Sequence, residues 1–148
     1  MAYSSRDPHG EALYSWENSW PGWDRNHLSL RQCRALAKTV CAHYKVKCPA
    51  MVHHESGPDG MSKPWDNRIS LLDGKRLQLG GRNVSTVLHE LAHHVTWHLH
   101  GERVQDHGPT FLRIYLDMLI RAKVAPEVAL KASLKGFGIA PSRRRAGG

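Results

Sequence analysis

The segment from Val84 to His100 constrains the fold of this chain more than any other part of the sequence. Its apolar residues recur at helical spacing as far as Gly101, a residue typical of a helix end. At about 100° per residue, His89, Glu90 and His93 fall on a face separate from the apolar face. We therefore predict a helix that buries one side in a core and presents two imidazoles and a carboxylate on another. The apolar face comprises Val84, Leu88, Leu91, Ala92, Val95 and Leu99.

The spacing of His89 and His93 indicates a metal ion. One helical turn separates the two imidazoles by about 6 Å in rise, so both can converge on one tetrahedral zinc ion. Glu90 lies beside them, where it can reach a water at the metal without being a ligand, as metal-assisted hydrolysis requires. In a chain with 11 His among 148 residues, about 0.03 chance matches to His-Glu-x-x-His are expected. The motif therefore predicts a Zn2+ site with Glu90 as general base.

A catalytic zinc ion needs a third protein ligand, and His107 is the favoured candidate. It follows a chain reversal at Gly101 and precedes Gly108-Pro109, so the returning chain can place it opposite the first two imidazoles. Carboxylate ligands remain as alternatives, at Glu102 and Glu127.

The other histidines near the motif fit a ligand role less well. His100 shares the face of His93 but lies about 10 Å further along a straight helix. The residue six positions after His93 is Leu99, so the extended metzincin pattern with its third His is absent. His94 and His98 flank the edge of the apolar face and are interpreted as solvated or hydrogen-bonded side chains.

Three further helices are predicted. Ser29 and Gln32 form a capping-box pattern before a helix from about Leu30 to Lys45. Pro109 is well placed at the start of another, which carries Phe111, Ile114, Tyr115, Met118 and Leu119 at helical spacing. Pro126 begins a last helix that runs to about Lys135.

Between the helix that ends near Lys45 and the helix that begins near Val84, the pattern favours strands. Residues 50–54 form a short apolar candidate, and residues 69–72 and 76–79 flank Asp73-Gly74, a strong hairpin signal. The order α-β-β-β-α-α-α predicts an α+β fold, in which a small, about three-stranded antiparallel sheet packs against helices that include the His-Glu helix.

The chain length of 148 residues suits a single domain. We predict a Trp-rich arm over residues 1–27 that packs on the domain through Trp16, Trp20 and Trp23, as an extended segment or a short helix. The domain proper would cover residues 28–140, and residues 141–148 would form a flexible basic tail. Cys33, Cys41 and Cys48 have no zinc-ribbon or disulfide pattern and are read as reduced thiols.

The net charge of +8 belongs largely to the C-terminal end. Five basic residues and no acid follow residue 130, which leaves +3 for the rest: Lys131, Lys135, Arg143, Arg144 and Arg145. Nucleic-acid contact through this tail is therefore an alternative rather than the leading expectation. The N-terminus lacks the apolar core of a secretory signal and no apolar run is long enough for a membrane helix, so a cytoplasmic location is expected.

Two motifs carry a family resemblance. The segment His89-Glu90-Leu91-Ala92-His93-His94, followed by His107-Gly108-Pro109-Thr110-Phe111, resembles the SprT-like zincins, in which the HExxH helix precedes His-Gly-x-x-Phe. The chain is still more similar to small metallohydrolases of actinobacteria and their phages, through Arg6-Asp7, residues 13–17 and residues 115–117. The C-terminal zinc ribbon of many SprT proteins has no counterpart here.

The resemblance implies a minimal zincin-like fold and a location in the host cytoplasm if the protein is phage-encoded. It also implies that His89, His93 and His107 ligate zinc, with Glu90 as general base.

The function expected from these features is zinc-dependent hydrolysis of a protein or peptide substrate. An extended peptide could pair with the strand at 76–79 if that strand is a sheet edge. Tyr115 and Arg113 are candidates for stabilising the oxyanion. Asp117 is interpreted as a solvated surface side chain, and orientation of a ligand imidazole is the alternative. The alternative is a non-catalytic, zinc-stabilised binding module, such as a phage structural or DNA-associated protein.

Overall fold

Helices dominate the computed structural model of this chain, which describes residues 9–20, 28–53, 61–71, 83–101, 104 and 106–142. The helices in these ranges are α1 (Gly10–Asn18), α2 (Leu30–Tyr44), α3 (Val84–His100), α4 (Pro109–Arg121) and α5 (Glu127–Leu134). The strands are β1 (Ala50–His53), β2 (Met61–Lys63) and β3 (Arg68–Leu71). Short 3-10 turns cover Pro64–Asp66 and Lys135–Phe137. The fold is thus a mixed, mostly helical one with a small sheet.

Local sequence signals set the helix ends where they were predicted. The capping box before α2 is confirmed, because the Ser29 hydroxyl accepts from the Gln32 amide and the Gln32 side chain accepts from the Ser29 amide. The bounds of α3 are confirmed from Val84 to His100, with Asn83 capping its first turn. Pro109 occupies the first turn of α4, as expected from its fixed φ.

The sheet differs from the predicted antiparallel one. β3 lies in the centre, pairs antiparallel with β2 and parallel with β1. Asn67 explains the parallel pair, since its side chain donates to the Cys48 carbonyl and its own carbonyl accepts from the Ala50 amide. These bonds hold the start of β1 beside the start of β3, so both strands run in one direction.

The sequence analysis did not predict β2, because two of its three residues are polar and Pro64 follows it directly. It nevertheless forms the antiparallel partner of β3, joined to it through the short turn that ends at Asn67. The predicted partner at residues 76–79 lies outside the described residues, as does the Asp73-Gly74 turn.

The core lies around α3, which packs against α2, the sheet and α4. Its predicted apolar face is confirmed for Leu88, Leu91, Ala92 and Val95, each fully buried, whereas Leu99 at the end of the helix is exposed. Cys33 and Cys41 of α2 are buried thiols in the same core.

The N-terminal segment contributes to this core as well. The buried residues of α1 recur at helical spacing, and they include the apolar side chains of Leu13 and Trp16. The Trp16 indole donates to the Ser133 hydroxyl at 2.7 Å, which ties α1 to α5. Trp20 packs on the core at its edge, and Trp23 lies outside the described residues. α1 therefore lies against α5.

At the other end, the Ser142 amide donates to the Pro109 carbonyl at 2.9 Å, so the chain after α5 returns to the start of α4. The arginines of the basic tail lie outside the described residues. None of the described helices combines the length and hydropathy needed to cross a lipid bilayer.

Candidate metal centre

Three imidazole nitrogens meet at one point beside α3. The Nε2 atom of His107 lies 3.2 Å from Nε2 of His89 and 2.9 Å from Nε2 of His93. One ring nitrogen from each of the three residues lies within 4.8 Å of the other two. The i, i+4 spacing on α3 brings the first pair together, and the chain reversal before α4 supplies the third ring.

Tetrahedral zinc fits this donor set. Zinc–nitrogen bonds of about 2.0–2.1 Å imply ligand nitrogens about 3.3 Å apart, close to the two separations found here. Burial lowers the pKa of His93 well below its ordinary value, and the neighbouring His107 and His89 rings lower it further. A neutral imidazole keeps the lone pair that a metal requires. The cluster therefore has the chemistry of a three-histidine metal site.

The backbone of His107 adopts a conformation unusual for its residue type. Its φ is 57°, in the left-handed region that costs a residue with a Cβ about 1–2 kcal/mol. Gly108 follows as the N-cap of α4 and Pro109 as its first residue. His107 thus turns the chain directly into α4 while its buried ring faces α3. Such backbone outliers concentrate at functional sites.

The ring of Phe111 packs against all three imidazoles. Its ring centroid lies 5.3 Å from that of His89, 4.5 Å from that of His93 and 5.2 Å from that of His107. The side chain is fully buried on α4, one turn after the His107-Gly108 corner. An aromatic residue at this position packs the three donors against each other.

Glu17 of α1 holds the ring of His89. Its Oε2 atom lies 2.8 Å from His89 Nδ1 and accepts a hydrogen bond of 2.6 Å from the Tyr115 hydroxyl. Because this oxygen is an acceptor, Nδ1 carries the hydrogen and Nε2 keeps its lone pair toward the cluster. Glu17 and the ring of His89 are both buried. A carboxylate from the N-terminal helix therefore fixes the tautomer of a candidate ligand.

Glu90 lies next to the cluster without joining it. Its Oε1 atom accepts a hydrogen bond of 3.1 Å from the Ser62 amide of β2. The residue as a whole is buried, with 8% of its surface exposed. The strand thereby orients the Glu90 side chain through the Ser62 amide.

A second residue of α1, Tyr14, reaches the cluster from another side. Its hydroxyl oxygen lies 3.4 Å from His107 Nε2. Its ring is nearly parallel to the imidazole of His89, at 13° and 6.0 Å between centroids. The side chain is half-buried. The hydroxyl therefore lies beside the point where the three donors meet.

A cleft of about 220 Å³ lies beside His107. Its walls come from the start of α1, the start of α4 and the chain after α5. The lining is largely apolar: Pro109, Leu112, Ile139 and Ala140, with His9, His107, Gly108 and Gly138. A cleft of this size suits one side chain rather than a large ligand.

Several residues named from the sequence lie away from the cluster. Asp117 interacts with Tyr44 and Arg121 and is partly exposed, as expected for a surface side chain, and the alternative that it orients a ligand imidazole is wrong. Glu127 is paired with Lys131 on α5 at 2.9 Å and is not in the cluster, and Glu102 lies outside the described residues.

The candidates for the oxyanion make other contacts. Arg113 donates to the Ser142 hydroxyl at 3.0 Å, and Tyr115 donates to Glu17. Of the neighbouring histidines, His94 is fully buried and its Nε2 hydrogen-bonds to the Lys47 carbonyl at 2.7 Å. His94 is thus a hydrogen-bonded core residue, one of its two expected states.

Sequence reasoning missed Glu17, Tyr14 and Ser62. One signal for α1 was present, because Leu13, Trp16 and Glu17 have i, i+3, i+4 spacing and put an acid on a buried face. An acid in that position needs a partner, which here is His89. No local signal connects Ser62 with Glu90, 28 residues later.

Comparison with known protein families, with curated proteins and with solved structures finds no match to this chain. The resemblance to SprT-like zincins therefore stays a prediction from the two motifs.

Proposed function

We propose that this protein is a zinc-dependent hydrolase of the zincin type that cleaves peptide bonds. His89, His93 and His107 would hold the zinc ion, and Glu90 would act as general base. The observation that carries the proposal is the convergence of three Nε2 atoms, 2.9–3.2 Å from His107 to each partner. Glu90, the residue after His89 on α3, is buried and is not part of the cluster.

The donor set favours a catalytic over a purely structural zinc site. Structural sites fill all four positions with protein ligands, whereas catalytic sites use three and leave one open. Within the described part of the chain, the cluster contains three candidate ligands. His93 and Tyr14 are both half-buried rather than fully enclosed, as a site open to a substrate requires.

The chain's own groups supply proton transfer and orientation. A zinc ion, when bound, acts as a Lewis acid that acidifies water and polarises a carbonyl group. Glu90 accepts the proton of the attacking water at its carboxylate and delivers it to the leaving nitrogen. The Ser62 amide holds Glu90 in position at 3.1 Å. Glu17 keeps the hydrogen of His89 on Nδ1, so that Nε2 faces the site.

Two surfaces next to these groups suit a peptide. β2 lies at the edge of the described sheet and contacts Glu90 through Ser62. The apolar cleft beside His107 offers room for one side chain next to the scissile bond. These features favour an extended peptide substrate with a compact apolar residue close to the cleaved bond.

Replacement of the general base tests the proposal. We expect Glu90→Gln to bind about one zinc ion per chain, as the parent does, and to lose hydrolysis by a factor of about a thousand or more, since proton transfer alone contributes 10²–10⁴. Zinc content would be measured by mass spectrometry of metals. Hydrolysis would be measured as new N-termini in a peptide library from a digested bacterial proteome.

Glu127→Gln is the matched control, because Glu127 is half-exposed and paired with Lys131 on a remote helix. It should retain both zinc and activity. Undiminished cleavage by Glu90→Gln would remove Glu90 from the mechanism. Stoichiometric zinc without cleavage by the parent would instead favour the non-catalytic binding module.

A further inference from the structure

Tyr14 is the hydroxyl-bearing side chain of α1 that reaches the histidine cluster. We propose that it is a further catalytic residue, whose hydroxyl donates a hydrogen bond to the carbonyl oxygen of the scissile bond as that oxygen gains negative charge. This inference rests on the proposed hydrolase function and adds to it the group that stabilises the oxyanion.

Distance places the hydroxyl within reach of a substrate. It lies 3.4 Å from His107 Nε2, one of the three atoms that would surround the metal. A carbonyl oxygen that approaches the cluster from the side of Tyr14 would come within hydrogen-bonding distance of this hydroxyl. The residue is half-buried, so part of it is accessible from outside the core.

The neighbours of Tyr14 fix its position before any substrate binds. Leu13 and Trp16 anchor α1 in the core with no more than 1% of their surface exposed. Glu17, one turn further on, is hydrogen-bonded to His89 itself. The imidazole of His89 also stacks on the Tyr14 ring. A donor held in this way needs little reorganisation during the reaction, which is the condition for effective oxyanion stabilisation.

The two oxyanion candidates named from the sequence have other partners. The Tyr115 hydroxyl donates to Glu17 at 2.6 Å, and Arg113 Nε donates to Ser142 at 3.0 Å. Tyr115 positions Glu17, and Arg113 positions the C-terminal segment. The hydroxyl of Tyr14 is a neutral donor that lies against the cluster at His107.

Binding of acetohydroxamate to the cobalt-loaded protein tests this role without a known substrate. Hydroxamate presents a carbonyl oxygen and a negative oxygen at the metal, and cobalt makes its binding visible as a change in d–d absorbance. We expect Tyr14→Phe to bind cobalt within about threefold of the parent and acetohydroxamate about tenfold or more weakly. With a cleaved peptide from the library, kcat should fall by about 10²-fold and KM should change little.

Tyr44→Phe is the control, because it removes a tyrosine hydroxyl that is bonded to Asp117, away from the cluster. It should bind cobalt and acetohydroxamate as the parent does. Equal hydroxamate binding by Tyr14→Phe and parent would overturn the inference. Loss of cobalt affinity in Tyr14→Phe would also overturn it, by making Tyr14 a metal ligand.

Failure of the proposed function gives a different result. In that case the parent itself would bind no cobalt, or Glu90→Gln would cleave peptides as fast as the parent. Both outcomes are read on proteins that keep Tyr14, so they are separate from the comparison of Tyr14→Phe with the parent.

Discussion

The two helices that flank the candidate metal centre, α3 and α1, reach it in opposite ways. α3 carries His89, Glu90 and His93 within five consecutive residues, so one helical turn is sufficient to gather them. α1 carries Tyr14 and Glu17, which meet the same centre across 93 and 72 residues of sequence. One helix supplies the chemical groups, and the other holds and supplements them.

The difference shows that the ligands and the base of such a site are recruited in a different way from the residues that orient them. Ligands and base are recognisable because their chemistry requires a fixed spacing on one element. Residues that orient a ligand need only the right position in space, so they can come from any element that packs nearby. A short helix in the Trp-rich N-terminal segment therefore becomes part of the site through its packing.

Removal of a candidate ligand should have the largest effect on zinc affinity, and it tests the groups that both helices are proposed to serve. We expect His107→Ala to weaken zinc binding by more than about a hundredfold, since even partners of ligands are worth 10–100-fold. Zinc affinity would be measured by competition with a chromogenic chelator. His100→Ala, which removes an exposed histidine at the end of α3, should bind zinc as the parent does. Equal affinities of the two variants would show that another residue is the third ligand.

A change in α1 should have an intermediate effect and would sharpen the comparison. In Glu17→Gln the charge beside His89 Nδ1 is lost while the shape is kept, so we expect zinc affinity to fall by about tenfold. The same chelator competition measures it. Glu11→Gln, on the exposed face of α1, is the control and should leave the affinity unchanged. If both variants match the parent, α1 packs against the centre without supporting it.

The smallest effect concerns the backbone of the third candidate ligand. His107 has a φ of 57°, which glycine adopts without strain. We therefore expect metal-free His107→Gly to be more stable than metal-free His107→Ala by about 1 kcal/mol in free energy of unfolding. Urea denaturation followed by circular dichroism would measure the difference. A more stable alanine variant would mean that the chain relaxes out of the left-handed conformation when the imidazole is absent.

Much of the helical framework followed from local chemistry. The capping box at Ser29, the apolar face of α3 and Pro109 at the start of α4 are all short-range signals, and each was found where the sequence indicated. The sheet did not follow in this way. Its parallel pairing depends on Asn67, which is hydrogen-bonded to the Cys48 carbonyl and to the Ala50 amide. These residues are far apart in sequence, so no local pattern predicts the contact.

The candidate site shows the same contrast between features that local sequence signals predict and features that they do not. The proximity of His89, Glu90 and His93 was determined by helix periodicity, and the reversal after Gly101 correctly placed His107 opposite them. The partners that orient these groups were not predicted, because hydrogen bonds such as Ser62 to Glu90 leave no periodic trace in the sequence.

By itself, the sequence determined that one helix presents two histidines and a glutamate away from its apolar face, because periodicity and capping act over a few residues. The tertiary structure decided how that face is completed, in part by side chains that the sequence analysis did not predict. It brought His107 against α3 in a left-handed conformation and set Glu17 and Tyr14 beside the rings. It could do so because packing of the buried core, rather than spacing along the chain, fixes where α1 and α4 lie.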